Sequence, residues 1–167
     1  MSPRLEGHVI VVTGATGIAA ASAERLCSEG AAVFTISYTP DHCRDLHQRL
    51  TDQGYRHGWA SADLRDEQQT VAAFEACVDQ FGPLDGVLAV AGGSGRRFGD
   101  GMLDSISLDA WNATIELNLT TTFLTVRESI RRMLDPQSGG SVVIVSSVLA
   151  DHPSPELFGT HAYAVAK

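Results

Sequence analysis

The run His8-Val9-Ile10-Val11-Val12 shows no alternation of polar and apolar residues, and it leads directly into Thr13-Gly14-Ala15-Thr16-Gly17. An unbroken β-branched stretch of this kind reads as a strand buried on both faces, which calls for a parallel sheet with helices above and below it. Ala19, Ala23 and Leu26 then recur at helical spacing, predicting a helix face of small residues that closes at Gly30. Strand, glycine turn and helix make one βα unit, and the downstream sequence repeats the pattern.

A second strand is expected over Ala32 to Ser37, followed by the turn and N-cap signal Pro40-Asp41. Cys43, Leu46 and Leu50 mark the next helix face, which ends near Gly54. The third strand, about Tyr55 to Ala62, is weakened by His57 and Gly58. A helix with Val71, Phe74, Val78 and Phe81 on one face stops at Gly82-Pro83. Leu84 to Val90 reads as a fourth strand, and a glycine-rich loop runs from Gly92 to Gly101. The longest helix, Leu108 to Leu134, is expected to turn Leu108, Trp111, Ile115, Leu119, Thr122, Val126 and Ile130 to one side. Gly139-Gly140 leads into a fifth strand, Val142 to Val145. The order predicts an α/β, Rossmann-like, doubly wound parallel sheet with right-handed crossovers and five visible strands.

Composition narrows the function classes. A chain of 167 residues makes one domain, and no apolar run approaches a membrane span. Twelve Lys+Arg against twenty Asp+Glu give a net charge of −8, which argues against nucleic acid or an anionic membrane as partner. The opening Met1-Ser2-Pro3-Arg4-Leu5-Glu6 has no apolar signal core. Cys27, Cys43 and Cys77 form neither an even framework nor a C-x-x-C pair, so a reduced, cytoplasmic setting is expected. The six histidines are scattered, and no metal site is expected.

The first glycine turn carries the clearest chemistry. Glycines let the backbone turn tightly and approach a pyrophosphate, and a helix N-terminus offers unpaired N–H groups and a positive dipole end. A glycine pair alone also suits a simple tight turn; the order strand, turn, helix favours the nucleotide. Dinucleotide-binding folds usually place an acidic residue about 20 positions further on, at the ribose 2′-hydroxyl. That position falls on Ser37, followed by Tyr38 and Thr39, so NAD and NADP both stay open.

At the other end of the sequence Tyr163 and Lys167 stand one helical turn apart. A phenol with a pKa of about 10 is a poor base at neutral pH, and a nearby ammonium favours the phenolate. Lowering that pKa by about 3 units takes about 4 kcal/mol of differential stabilisation. Thr13-Gly14 with Gly17, Asp63-Leu64, Ala91-Gly92, Asn118, Ser146-Ser147 and Tyr163 with Lys167 follow in order. In that combination the chain resembles the short-chain dehydrogenase/reductase family over its whole length, corresponding to roughly the N-terminal two-thirds of a usual member.

The resemblance implies hydride transfer between NAD or NADP and a small alcohol or carbonyl. Tyr163 would be the general acid/base, with Lys167 lowering its pKa and holding the nicotinamide ribose. Ser147 would bond the substrate oxygen and Asn118 would position a water in the proton relay. Cofactor contacts would come from Gly14, Thr16, Gly17, Ile18, Ser37, Asp63, Leu64, Ala91, Gly92, Tyr163 and Lys167. A homo-oligomer, dimer or tetramer, is implied as well. These roles suit the chemistry, because moving a hydride makes or removes an alkoxide and needs a matched proton donor.

The sequence also departs from the family pattern. The glycine loop is one residue shorter than T-G-x-x-x-G-x-G, with Ala19 for the last glycine, and Ala89-Val90 replaces Asn-Asn before Ala91-Gly92. The latter change removes side-chain amides that tie neighbouring loops together. Ser147 precedes Tyr163 by sixteen residues, with Pro153 and Pro155 between them. The chain stops at Lys167, so a single domain over 1–167 is expected, truncated at that lysine, with the fifth strand an exposed edge. An extended-branch epimerase or dehydratase matches the loop spacing from Thr13 to Ala20, and a non-catalytic nucleotide-binding fragment is the third reading. Ala91-Gly92 and Asn118 favour the short-chain branch. Arg96 and Arg97 lie just beyond the fourth strand, where open α/β sheets bind ligands, as a solvated pair or as contacts to cofactor phosphate or an acidic substrate.

Overall fold

A computed structural model describes residues 3–134 and 139–167, so Met1 and Ser2 of the opening segment read for a signal core lie outside the described residues. Strands β1 (Val9–Thr13), β2 (Ala32–Ser37), β3 (His57–Ser61), β4 (Gly86–Ala89) and β5 (Ser141–Ile144) form one parallel sheet in the order β3-β2-β1-β4-β5. The helices are α1 (Gly17–Ser28), α2 (Pro40–Asp52), α3 (Glu67–Phe81), α4 (Leu108–Ile115), α5 (Thr121–Leu134), α6 (Val148–Asp151) and α7 (His161–Ala166). This is the doubly wound α/β fold.

Successive residues of a strand face opposite ways, so the β-branched run of β1 feeds two cores. Val11 packs with Phe34, Ile36, Phe74, Cys77 and Val87, on the side of α3 and α5. Val12 packs with Val33, Ala19, Ala23, Cys43 and Leu46, on the side of α1 and α2. Cys27, Cys43 and Cys77 are free and buried; burial pushes the Cys27 thiol up to about 11 and the Cys77 thiol up to about 12. Neither of those two is a thiolate nucleophile at neutral pH.

Three expectations need correction. His57 and Gly58 do not interrupt β3; they are its buried start, with His57 opposite Val33 and Gly58 opposite Phe34. His57 Nε2 lies 2.9 Å from Thr35 Oγ1 and its Nδ1 lies 3.1 Å from His47 Nδ1, so a polar ring is satisfied inside the sheet layer. A Cβ at Gly58 would run into Gln80 and come within 2.8 Å of Phe34.

The buried face of α3 is rotated from the expected one. Thr70, Ala73, Phe74 and Cys77 point in, while Val71 and Val78 are half-buried. Thr70 tolerates burial because its hydroxyl donates to the Asp66 carbonyl at 2.7 Å.

The long helix carries a π-helical turn, Glu116–Thr120, and its buried face is rotated from the expected one, with Trp111, Ile115, Thr122 and Val126 half-buried. Ala110, Thr114, Asn118, Thr121, Leu124 and Thr125 face inward, while Leu108, Leu119 and Ile130 are exposed. Small residues let the helix approach closely, and Thr114 and Ser129 give their hydroxyl protons to carbonyls four residues earlier. Glu128 is buried as well, and burial alone would raise its carboxyl. Hydrogen bonds from Arg132 and Arg127 and the charge of Arg131 hold it below the usual range instead.

The edge strand β5 is exposed along its length, as expected. Among the described residues no helix is long and apolar enough to cross a membrane.

The buried histidine gives a pH signature. Burial, reinforced by His47, pushes His57 down from 6.5 to about 4. The unfolded chain takes up this proton below about pH 6.5 and the folded chain refuses it. Its contribution to stability is therefore complete above about pH 6.5 and is lost as pH falls towards 4, by on the order of 3 kcal/mol. Denaturant unfolding at pH 7.5 and 4.5 should show a smaller acid loss in His57→Asn than in the parent. Equal losses would contradict this assignment.

Candidate active site

The C-terminal ends of β1 to β4 open into a cleft of about 450 Å3. Gly14, Thr16, Ser37, Asp63, Leu64, Ala91 and Gly92 line it, together with Tyr38, Arg65, Arg97 and Phe98. Most of the expected cofactor contacts thus share one wall. Gly17, Ile18, Tyr163 and Lys167 do not line it; Ile18 is 62% exposed and lines an apolar groove with Leu5, Ile10 and Val143.

The glycine turn explains itself locally. Gly14 has φ +96° and donates its N–H to the Ile36 carbonyl at 2.8 Å. A Cβ there would stand 3.1 Å from the Ala19 Cβ, so Ala19 fills the space beside Gly14 without closing the turn. Thr16 is the N-cap of α1 but makes no side-chain cap bond, and no acidic residue lies in the first turn. A helix start with unclaimed N–H groups and no carboxylate in its first turn suits a phosphate. The loop tie that Asn-Asn would have supplied comes from Thr13, whose Oγ1 accepts the N–H groups of Val90 at 3.0 Å and Ala91 at 3.1 Å.

On the cleft wall Asp63 is not a free acceptor. Arg65 donates Nε at 2.9 Å and Nη2 at 2.6 Å to its two oxygens, and the Arg65 backbone N–H adds a third bond at 3.0 Å. The Arg65 guanidinium holds the Asp63 carboxyl below the usual carboxylate range. The sequence signal for this pair is an arginine two residues after the aspartate. Arg97 also lines the cleft, its guanidinium 4.6 Å from the Phe98 ring centroid, while Arg96 lies 5.9 Å from that of Phe158. Neither arginine meets a carboxylate among the described residues.

Asn118 sits in the π-helical turn at 1% exposure. Its Nδ2 donates to the carbonyls of Gly93 and Thr114, both at 2.9 Å, and its Oδ1 accepts the Gly93 N–H at 3.0 Å. The side chain therefore fixes the loop after β4. Lys167 reaches the same place from α7: its Nζ donates to the Val145 carbonyl at 2.9 Å and lies 5.9 Å from the Tyr163 ring centroid. Burial lowers the Lys167 pKa from its ordinary value. Gly92 lies where these groups meet, since a Cβ on it would stand 2.5 Å from Asn118 Oδ1 and 3.4 Å from Lys167 Nζ.

The two serines after β5 differ in their partners. Ser146 donates its hydroxyl proton to the Lys167 carbonyl at 2.8 Å. Ser147 caps α6, its Oγ accepting the Leu149 N–H at 3.2 Å, which leaves its own proton uncommitted among the described residues. His152 pairs with Asp151 at 2.9 Å, and His161 Nδ1 donates to the Gly101 carbonyl at 3.0 Å.

The approach at Gly92 is testable. Gly92→Ala forces Cβ onto the Asn118 amide and should lower unfolding stability by about 2 kcal/mol. Gly93→Ala meets only Leu117 at 3.7 Å and should change it by less than about 1 kcal/mol. Denaturant titration of both variants checks this, and equal losses would mean that Gly92 is not the tight point.

Comparison with known proteins gives a consistent picture. Residues 8–167 match the family described as short chain dehydrogenase. The cis-4-hydroxycyclohexanecarboxylate dehydrogenase of Sinomonas cyclohexanicum is 35% identical over 143 residues, covering 85% of this chain and 55% of the relative. The 2,3-dihydro-2,3-dihydroxybenzoate dehydrogenase of Bacillus subtilis is 33% identical over 165 residues, covering 98% of this chain and 60% of the relative. Among solved structures, a short-chain type dehydrogenase/reductase from Mycobacterium ulcerans superposes with a TM-score of 0.87 at 30% identity, covering 97% of this chain and 58% of the other. The chain thus spans between about half and two-thirds of the length of these proteins.

Proposed function

Because the chain belongs to the short-chain dehydrogenase family, we propose that the intact protein is an oxidoreductase that uses NAD or NADP to interconvert a small alcohol and carbonyl. The observation that carries this reading is the meeting of Asn118, Lys167 and Gly92 at the end of a cleft that begins at an unclaimed helix N-terminus. When bound, the nicotinamide supplies the hydride acceptor or donor. The chain's own residues do the rest.

Gly14, Thr16 and the first turn of α1 hold the pyrophosphate, Ser37 faces the adenine ribose, and Leu64 packs beside the adenine. Tyr163 takes the alcohol proton at its phenol oxygen in oxidation and returns it in reduction. Lys167, steered by the Val145 carbonyl, keeps an ammonium on the Tyr163 side of the site. Ser147 donates its uncommitted proton to the substrate oxygen, while Ser146 is spent on Lys167. Asn118 serves the relay by locking Gly92 and Gly93 in place.

The exposed Leu119, Phe123 and Ile130 on the outer side of the π-helical turn and α5 support a homo-oligomer built on that face. Three free cysteines support a reducing, cytoplasmic setting.

Two measurements test the reading on the intact protein. Tyr163→Phe keeps the ring and deletes the titrating oxygen, so turnover should fall by a factor of about 100 or more. Near-normal turnover would remove Tyr163 from the mechanism. Ser37→Asp adds an acceptor for a ribose hydroxyl and repels a 2′-phosphate, so the ratio of NAD to NADP affinity should rise. Titration of both cofactors into both proteins reads that ratio; no change would take Ser37 away from the ribose.

A further inference from the structure

We propose that Asp100 is a positioning residue: it clamps the first turn of α7 and so sets the pose of the Tyr163 phenol. This role rests on the reading of Tyr163 as the proton-transfer group. Asp100 stands near the end of the glycine-rich loop between β4 and α4 and is only 7% exposed. Its Oδ1 accepts the N–H of Ala162 at 3.1 Å and its Oδ2 accepts that of Tyr163 at 3.0 Å. These N–H groups lie in the first turn of α7, where a helix has no intrahelical acceptors to offer. An ionised carboxylate is acceptor-only, and here each oxygen takes one of two adjacent donors. The local cap position gives no help, since Thr160 makes no side-chain cap bond.

The loop that delivers Asp100 is itself braced. The Asp100 N–H donates to the Gly95 carbonyl at 3.2 Å, and Gly95 has φ +72°. A Cβ at Gly95 would run into Thr114 of α4 and stand 2.9 Å from the Asp100 Cβ, so the loop lies flush on α4. The next residue, Gly101, accepts from the ring Nδ1 of His161 at 3.0 Å. Contacts from outside α7 hold it at two points among the described residues. These are Asp100 at its start and the Lys167 contact with Val145 at its end, with Tyr163 between them. A shift of about 1 Å in a reacting group can cost about 100-fold in rate, so a clamp on the backbone of Tyr163 acts on turnover without touching the cofactor loop.

The test uses Asp100→Ala and Asp100→Asn in the intact protein, with Tyr163→Phe measured beside them. Amide hydrogen exchange gives a readout independent of activity. In Asp100→Ala, exchange at Ala162 and Tyr163 should speed up tenfold or more while the amides of β1 and β4 keep their protection. Turnover should fall about 10- to 100-fold with the KM for the dinucleotide unchanged. Asp100→Asn retains one acceptor oxygen and should recover part of both effects. Unchanged exchange at Ala162 and Tyr163, or unchanged turnover, overturns the clamp. A dinucleotide KM that rises in step with the loss of turnover, or a loss of protection across the sheet, also overturns it, because the residue would then be merely structural. Full turnover in Tyr163→Phe would sink the proposed function by itself and leave the exchange result to decide the clamp.

Discussion

The pairing of β4 beside β1, rather than beside β3, is the contact on which the rest of the molecule depends. Val11 lies opposite Val87 and Thr13 opposite Ala89, so the sheet grows outward from β1 in both directions. The crossovers must then cover opposite faces, which produces the two cores and opens a crevice where the strand order reverses. Thr13 completes the junction. One hydroxyl oxygen receives two backbone N–H groups from the chain leaving β4, fixing where Ala91 and Gly92 stand relative to Gly14. Both glycine segments of the cleft are thereby held to the same strand end.

Electrostatics inside the cleft run against those of the whole chain. The protein carries a net charge of −8, yet the charged residues on the cleft wall are Asp63, Arg65 and Arg97. Asp63 is already paired to Arg65, and Arg97 has no carboxylate partner among the described residues, so the wall presents a net positive charge beside the start of α1. A local field of that sign reconciles an acidic protein with the anionic dinucleotide proposed for it. The same surplus of acid elsewhere disfavours loose binding of other polyanions.

Much of the fold could be read in the sequence because burial on two faces and small-residue helix spacing are local patterns. The strand β2 and the helix face of Cys43, Leu46 and Leu50 emerge with the expected residues. Local patterns do not register polar groups that satisfy one another across the chain. His57 enters the sheet because Thr35 and His47 receive it, and the inner side of α4 and α5 is polar because its hydroxyls bond within the helix. A periodicity argument that sorts residues only by hydropathy places Leu108, Leu119 and Ile130 inside, and they are not. The site divides the same way. Motif residues such as Gly14, Asp63 and Gly92 fall on the cleft, whereas the pairing of Arg65 with Asp63 and the grip of Asp100 on α7 depend on contacts that no local pattern records.

The central claim is that one dinucleotide spans the cleft from the end of β2 to the start of α7. The most direct measurement is a crystal structure of the intact protein grown with NAD or NADP. The account predicts the pyrophosphate against Gly14, Thr16 and the first turn of α1, the adenine between Asp63 and Leu64, and the nicotinamide beside Gly92 within reach of Tyr163 and Lys167. A dinucleotide bound elsewhere, or bound in the cleft with its nicotinamide end pointing away from Gly92, would contradict it.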